Sequence, residues 1–129
     1  MKLSLSSEYA LLALIHMARR PKSGMMPSEI VGLAQVLAET LHELTIVLLD
    51  AEYVCRANGK LRLAKSANKI SVAEIVRLFD GALAPLEPVS EKGYETAPME
   101  QEPKLTNLFG ELQEHIIGKL EKTTLADLA

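Results

Sequence analysis

Apolar residues recur at helical spacing along most of the chain, and the first such run lies near the amino terminus. Ser6 and Ser7 are placed to cap its start, because a serine hydroxyl accepts hydrogen bonds from the free N–H groups of a first turn. Residues 21–24, from a proline to a glycine, end the run. The pattern predicts a helix with a broad apolar surface made of Tyr9, Leu11, Leu12, Leu14, Ile15 and Ala18.

A second run opens at Pro27, Ser28 and Glu29 and extends to Ala51. It fits either one helix of about six turns or two helices with a turn near residues 35–37. No glycine or proline stands at that place, so periodicity leaves both alternatives open. The apolar positions are Ile30, Leu33, Ala34, Leu37, Leu41, Leu44, Leu48 and Leu49.

Two short alternating runs, residues 53–56 and 60–63, flank Ala57, Asn58 and Gly59. Asn-Gly between such runs is typical of a tight hairpin, since both residues tolerate a positive φ. The sequence therefore predicts a two-stranded β-hairpin here.

Ser71 and Glu74 have the spacing of a capping box, which predicts the start of another helix. That helix, apolar at Val72, Ile75, Val76, Leu78 and Phe79, is expected to stop at Gly81.

The last part of the chain holds an irregular connection, residues 82–103, followed by a long helix. The connection contains four of the six prolines. A final cap or short turn is expected at residues 124–127. The helix is predicted from apolar residues every three to four positions, at Leu105, Leu108, Leu112, Ile116 and Leu120, with Phe109 and Ile117 beside them.

Three helices followed by a two-stranded wing are typical of a winged helix-turn-helix. We therefore expect a mostly α fold with a small β-hairpin, in which residues 1–81 form the winged helix-turn-helix domain. Residues 82–129 are expected to form the connection and a dimerisation helix. The long helix has too wide an apolar face to be left in water, so a second copy of the chain is its predicted cover.

Composition narrows the class of protein. The 129 residues suffice for one core, and a single cysteine excludes a disulfide framework and a metal site built from several thiolates of one chain. Glu8 and the Arg19-Arg20 pair argue against a signal peptide, so we expect a soluble protein in the reducing cytoplasm.

Charge divides the chain. Residues 1–65 carry eight Lys/Arg and six Asp/Glu, whereas residues 66–129 carry six and eleven, for a net charge of −3. A slightly basic front half and an acidic rear half predict different tasks for the two parts.

Six stretches follow the pattern of a known family in collinear order over the whole length: residues 1–18, 51–54, 63–65, 70–75, 80–85 and 123–128. Through them the sequence resembles the Rrf-two family of bacterial winged-helix transcription factors. The resemblance implies a homodimer whose long helices pack together and whose two winged helices face successive major grooves of double-stranded DNA.

Several departures from the family pattern fall in the segments that would contact DNA. Gln35, Val36 and Leu37 stand where the family usually has Gly-Ile-Pro, and the wing is about three residues shorter. From Pro27 to Val54 there are five acids and no Lys or Arg. Residues 86–103 contain none of the three cysteines that cluster-bearing members place there, so no iron–sulfur cluster and no other cofactor is expected.

The resemblance implies three sets of functional residues. Thr40 and His42 are the candidates to reach base edges. Leu105, Leu108, Phe109, Leu112, Ile116 and Leu120 are the dimerisation candidates. The candidates to hold DNA phosphates are Lys2, Ser4, Ser6 and Tyr9 near the amino terminus, with Arg56, Asn58, Lys60 and Arg62 on the wing.

A second hypothesis follows from the acids of residues 27–54: a paralogue that has lost DNA binding and acts through protein contacts, for example by pairing with a DNA-binding sibling. An enzyme is the weakest interpretation, since no Gly-rich phosphate loop, metal-ligand spacing or Ser/His/Asp arrangement is found. An effector pocket between the winged helix and the long helix is also compatible with the sequence, but no residue pattern identifies its ligand.

The cysteine, histidine and paired glutamate side chains are better explained by structural roles than by chemical ones. Cys55 is better explained as a small apolar strand residue than as a redox switch. His16, His42 and His115 are too scattered along the sequence to predict a metal site. Glu39 and Glu43 share a helix face, but a solvated surface explains them better than acid–base chemistry.

Overall fold

The computed structural model describes residues 3–81, 83 and 98–129. Its order of elements confirms the predicted mostly α fold with one antiparallel hairpin. Lys2 and most of the predicted connection lie outside the described residues. The elements are α1 (Leu5–Ala18), α2 (Pro27–Ala34), α3 (Ala38–Asp50), β1 (Val54–Ala57), β2 (Lys60–Leu63), α4 (Val72–Asp80), α5 (Pro103–Lys122) and α6 (Leu125–Leu128), with 3₁₀ turns at Ala67–Lys69 and Pro98–Gln101.

The cap of α1 differs from the prediction. Ser4, not Ser6 or Ser7, is the N-cap, and its hydroxyl accepts a hydrogen bond from the backbone N–H of Ser7 at 3.1 Å. Ser7 is fully buried inside the first turn. The helix starts earlier because Ser4 is also held from outside: its amide donates to Asp80 Oδ2 at 3.1 Å and its hydroxyl donates to Oδ1. This contact joins the start of α1 to the end of α4.

The second apolar run is two helices. Gln35 takes a left-handed conformation (φ 52°, ψ 42°), Val36 is buried, and α3 starts at Ala38 with its axis bent by 116° from that of α2. In the described part of the chain no single helix is long and apolar enough to cross a membrane. Only α2 and α3 taken together have the length and composition of a membrane-spanning segment, and their axes are bent at this turn.

The hairpin forms as predicted, with Ala57 opposite Lys60 and positive φ at Asn58 and Gly59. A third segment joins it: Met25 and Leu61 exchange two backbone hydrogen bonds, each of 2.8 Å. Gly24 precedes this pair at φ +68°, and a Cβ there would lie 2.9 Å from the Leu61 carbonyl oxygen. The base of the wing is therefore tied to the chain between α1 and α2.

The core is closed by the carboxyl terminus. Leu125 of α6 is fully buried, and its amide donates to the Ile70 carbonyl at 2.9 Å. The predicted capping box at Ser71 and the predicted terminal cap at Thr124 both form. The division into residues 1–81 and 82–129 stays a prediction, with α6 packed in the main core and against α1.

Helix α5 packs on α4 near its carboxyl end. Ile117 and Leu120 contact a cluster that includes Val72 and Val76, and Arg77 Nη2 lies 2.6 Å from Glu121 Oε1. The structure describes all of α5, and within it no residue of this helix is fully buried. The amino-terminal half of the helix therefore presents apolar side chains to solvent.

Gly24→Ala is expected to lower the free energy of unfolding by about 2 kcal/mol or more. An L side chain at positive φ costs roughly 1–2 kcal/mol, and the Leu61 carbonyl would also have to move. Gly32→Ala is the matched control, since a Cβ there meets nothing within 4 Å and alanine favours a helix by about 0.5–1 kcal/mol. Urea unfolding followed by circular dichroism at one protein concentration measures both, and equal stability of Gly24→Ala and the parent protein would contradict the proposed role of the Gly24–Leu61 contact.

Asp80→Asn is expected to destabilise the protein in a pH-dependent way. Burial raises the pKa of Asp80, but hydrogen bonds from Ser4 outweigh it and hold the pKa below its ordinary value of 3.8. The ionised carboxylate therefore stabilises the fold above the unfolded pKa, and this contribution disappears as pH falls through the folded pKa.

Unfolding curves of Asp80→Asn and the parent protein should thus differ at pH 6 and converge toward pH 3. Asp50→Asn is the control, because its carboxylate lies at the negative end of α3, where neutralisation does not destabilise. A gap at pH 6 that persists unchanged at low pH would assign the effect to packing and not to charge.

Candidate nucleic-acid interface

The exposed face of α3 is acidic. Leu41, Leu44 and Leu48 bury the opposite face in the core. One stripe along this outward face starts at Glu39 and continues four, seven and eleven residues later, at Glu43, Ile46 and Asp50. A carboxylate in the first turn is favoured by the helix dipole, but a stripe of three repels phosphates.

The two predicted base-reading residues are not brought together. Thr40 is half-buried and His42 is exposed, and side chains two residues apart on a helix do not face the same side. His42 lies on the side that faces the hairpin, where it lines a pocket with Arg56.

The hairpin has two faces, set by its register. Arg56 stands opposite Leu61, so their side chains project on one face, toward α2 and α3. Lys60 stands opposite Ala57, and Arg62 opposite Cys55, on the other face. The predicted wing cations are therefore divided: Arg56 on one side, Lys60 and Arg62 on the other.

Lys60 and Arg62 meet a third cation, Lys22, around a polar pocket of about 200 Å³ that Asn58 also lines. We call Lys22, Lys60 and Arg62 the wing cluster. Within the described residues, these three side chains form no ion pair. Such a cluster can hold a phosphate group at the edge of a duplex.

From the sequence, Lys22 is one of eight cations of residues 1–65 that fit either a phosphate-contacting rim or an ordinary solvated surface, and it is not among the predicted site residues. Its position depends on Gly24, where a Cβ would lie 3.3 Å from Arg62 Cβ and 3.4 Å from Lys60 Cβ. The close approach of Gly24 to the wing and the Met25–Leu61 pair place Lys22 beside Lys60 and Arg62, and both are tertiary contacts.

Arg20 is held by an acid of α2. Its Nη1 lies 2.5 Å from Glu29 Oε2, while Glu29 Oε1 accepts from the Met26 amide at 3.1 Å. The Met26 hydrogen bond and the Arg20 guanidinium lower the pKa of Glu29. Arg20 therefore fixes the start of α2 and is not a free cation.

The residues near the start of α1 that were predicted to hold phosphates lie far from the wing cluster. Ser4 is engaged with Asp80, Ser6 is exposed, and Tyr9 packs half-buried against the core. The start of α1 is separated from its end by roughly 20 Å, the length of a helix of 14 residues. Ser4 and Lys22 therefore belong to opposite ends of this helix.

The predicted dimerisation residues share α5 but differ in exposure. Leu105, Leu108 and Leu112 are 39%, 50% and 47% exposed. Phe109, Ile116 and Leu120 are half-buried, and Leu120 also packs against α4 within the same chain. The exposed part of the stripe is thus the amino-terminal half of the helix.

Comparison with known proteins identifies relatives over nearly the whole chain. The family model of Rrf2, described as an iron-dependent transcriptional regulator, matches residues 3–129. Two Mycobacterium tuberculosis proteins (strains CDC 1551 / Oshkosh and ATCC 25618 / H37Rv) carry the provisional name of HTH-type transcriptional regulators. Each is 27% identical over 134 residues, an alignment that covers 100% of this chain and 81% of the relative.

Solved structures show the same fold. CymR, the global cysteine regulator of B. subtilis, superimposes with a TM-score of 0.83 at 24% identity, covering 100% of this chain and 96% of CymR. T. potens IscR gives 0.73 at 20% identity, with 99% and 85% covered. These structures confirm the predicted winged-helix fold.

The residues that the structure describes do not fit an iron site, although the family description names iron dependence. The chain has one cysteine, Cys55, half-buried on β1. Among the described residues no group of three His, Cys, Asp or Glu side chains is arranged to hold a metal ion. His16, His42 and His115 lie on three different helices, and burial followed by the charges of Arg19 and Arg20 lowers the pKa of His16.

Proposed function

We propose that this chain, which belongs to the Rrf2 family of transcriptional regulators, is a DNA-binding homodimer that works without an iron–sulfur cluster. The observation that carries the proposal is the wing cluster: three cations, without an ion pair among the described residues, gathered around one pocket beside a helix-turn-helix. A regulator of chromosomal genes acts in the cytoplasm, and we assign the chain to that compartment.

Phosphate contacts at the wing supply most of the affinity in this proposal. Counterion release by cations gives sequence-independent binding, which here comes from Lys22, Lys60 and Arg62 of each protomer. The acidic stripe of α3 weakens it. Glu39 and Glu43 can accept hydrogen bonds from cytosine N4 amino groups, so the expected preference is for G·C pairs whose cytosine lies on the strand that these side chains contact.

The second copy is proposed to cover the exposed half of α5. Leu105, Leu108 and Leu112 recur on one face and carry the largest exposed apolar side chains of that helix. Complete burial of an exposed leucine contributes about 1.5–3 kcal/mol, and these half-exposed side chains each gain roughly half of that, so a mirrored pair of stripes favours association. Two winged helices are then available for two half-sites of one duplex.

Removal of wing cations should reduce the salt dependence of DNA binding. Binding of random-sequence duplexes, followed by fluorescence anisotropy at several salt concentrations, is expected to give a log–log slope that falls by about 1 for each phosphate-binding cation removed. Lys60→Gln and Arg62→Gln each remove one such cation per protomer. Lys65→Gln is the control, because Lys65 Nζ lies over the Tyr53 ring, 4.5 Å from its centroid, and does not line the pocket.

The same titration distinguishes DNA binding from the alternative function. The acidic stripe of α3 favours a paralogue that has lost DNA binding and acts as a protein-interaction or heterodimerising modulator. A folded dimer that binds no duplex at low salt, with no salt slope, would support that function and overturn DNA binding.

Leu108→Glu should convert the dimer to a monomer at micromolar concentration, because a buried unpaired carboxylate at the interface costs several kcal/mol. Light scattering after size exclusion measures the mass. Leu33→Glu is the matched control, since Leu33 on α2 is 51% exposed and Leu108 is 50% exposed. A parent protein that is already monomeric, or a Leu108→Glu variant that stays dimeric, would contradict this interface.

A further inference from the structure

An apolar pocket of about 420 Å³ lies between the two helices of the helix-turn-helix and the hairpin. Pockets of this size take small organic molecules. Its lining includes residues from all three elements and is mostly apolar: Pro27, Ser28, Val31, Ala38, Leu41, His42, Thr45, Arg56 and Leu61.

The pocket is a consequence of the fold. The 116° bend between α2 and α3 separates their amino-terminal turns, and the Met25–Leu61 backbone pair holds the hairpin across the gap. On α3 the lining residues occur at positions 38, 41, 42 and 45, one face of the helix. This face is distinct from the acidic stripe.

Charge at the pocket favours an anion. Among the described residues, Arg56 is the only Lys, Arg, Asp or Glu of the lining, and it forms no ion pair with any of them. The amino-terminal turns of α2 and α3 border the pocket at Ser28 and Ala38, but each turn already carries its own carboxylate, Glu29 and Glu39, so the preference for an anion rests on Arg56. The Thr45 hydroxyl donates to the Leu41 carbonyl at 2.7 Å, so its proton is engaged.

We propose that this pocket binds a small amphipathic carboxylate. A hydrocarbon body would lie against Val31, Leu41 and Leu61, and the carboxylate would pair with the Arg56 guanidinium and accept a hydrogen bond from His42. One guanidinium matches one carboxylate in bidentate geometry. A dianionic phosphate fits the wing cluster better, which offers three cations on the opposite face of the hairpin.

The site differs in place from the effector pocket considered from the sequence, which was expected between the winged helix and α5. It also has a functional consequence, which rests on the proposed function. His42 and Arg56 are candidate DNA contacts, so a ligand that engages both competes with DNA.

Calorimetric titration of the full chain with octanoate tests the site. Saturable binding of one octanoate per chain is expected, with octan-1-ol and octylamine at least tenfold weaker. Arg56→Gln should weaken octanoate binding at least tenfold. Arg62→Gln is the matched control on the other face of the hairpin and should bind as the parent protein does, with circular dichroism verifying that both variants are folded.

Three results would overturn the site: no saturable octanoate binding, equal binding of octanol, or equal binding by Arg56→Gln and the parent protein. The last would place octanoate elsewhere, for example on the exposed leucines of α5. A second variant, Val31→Phe, fills the pocket without altering charge and should also abolish binding.

Anisotropy of a bound duplex then tests the competition. Octanoate should release DNA from the parent protein and not from Val31→Phe, whose pocket is filled at a residue outside the candidate DNA contacts. Octanoate binding that depends on Arg56 in a protein that binds no DNA would support the site and overturn the proposed function. Octanoate binding that leaves DNA affinity unchanged would overturn the competition alone.

Discussion

The backbone pair between Met25 and Leu61 is the contact on which the functional surface depends. Its two hydrogen bonds form an isolated β-bridge at the edge of the two-stranded wing and hold the hairpin against the helix-turn-helix. Gly24 allows the close approach because it has no Cβ and accepts a positive φ. Without this pair, Lys22 would not lie beside Lys60 and Arg62, and the pocket between α2, α3 and the hairpin would be open on one side.

The hairpin thereby separates two kinds of chemistry. Because side chains alternate along a strand, Lys60 and Arg62 project on one face of the hairpin and Arg56 projects on the other. The two faces of one short hairpin therefore differ in their surroundings. One face is cationic and open, suited to a phosphate in water. The other is apolar with a single guanidinium, suited to a carboxylate that carries a hydrocarbon chain.

The acidic stripe of α3 and the cationic wing cluster give the two elements opposite charge. In the proposed function, attraction to DNA comes from the wing, whereas α3, the proposed base-reading helix, carries Glu39, Glu43 and Asp50 on its outward face. Affinity and base preference are therefore assigned to different elements. Helix α6 anchors the end of α5 relative to the wing and α3, because Leu125 is buried in the same core as α1 and the hairpin.

The sequence by itself determined the elements that local chemistry specifies: the Asn58-Gly59 hairpin, the Ser71 capping box and the long helix with its apolar stripe. These depend on residues a few positions apart, and their local preferences agree with the packing around them. Tertiary contacts decided the rest. Three serines compete to cap α1, and Ser4 is selected because Asp80, 76 residues away, holds it. Gln35 turns left-handed without any glycine signal because Val36 must be buried, and the two faces of the wing exist only once Met25 pairs with Leu61.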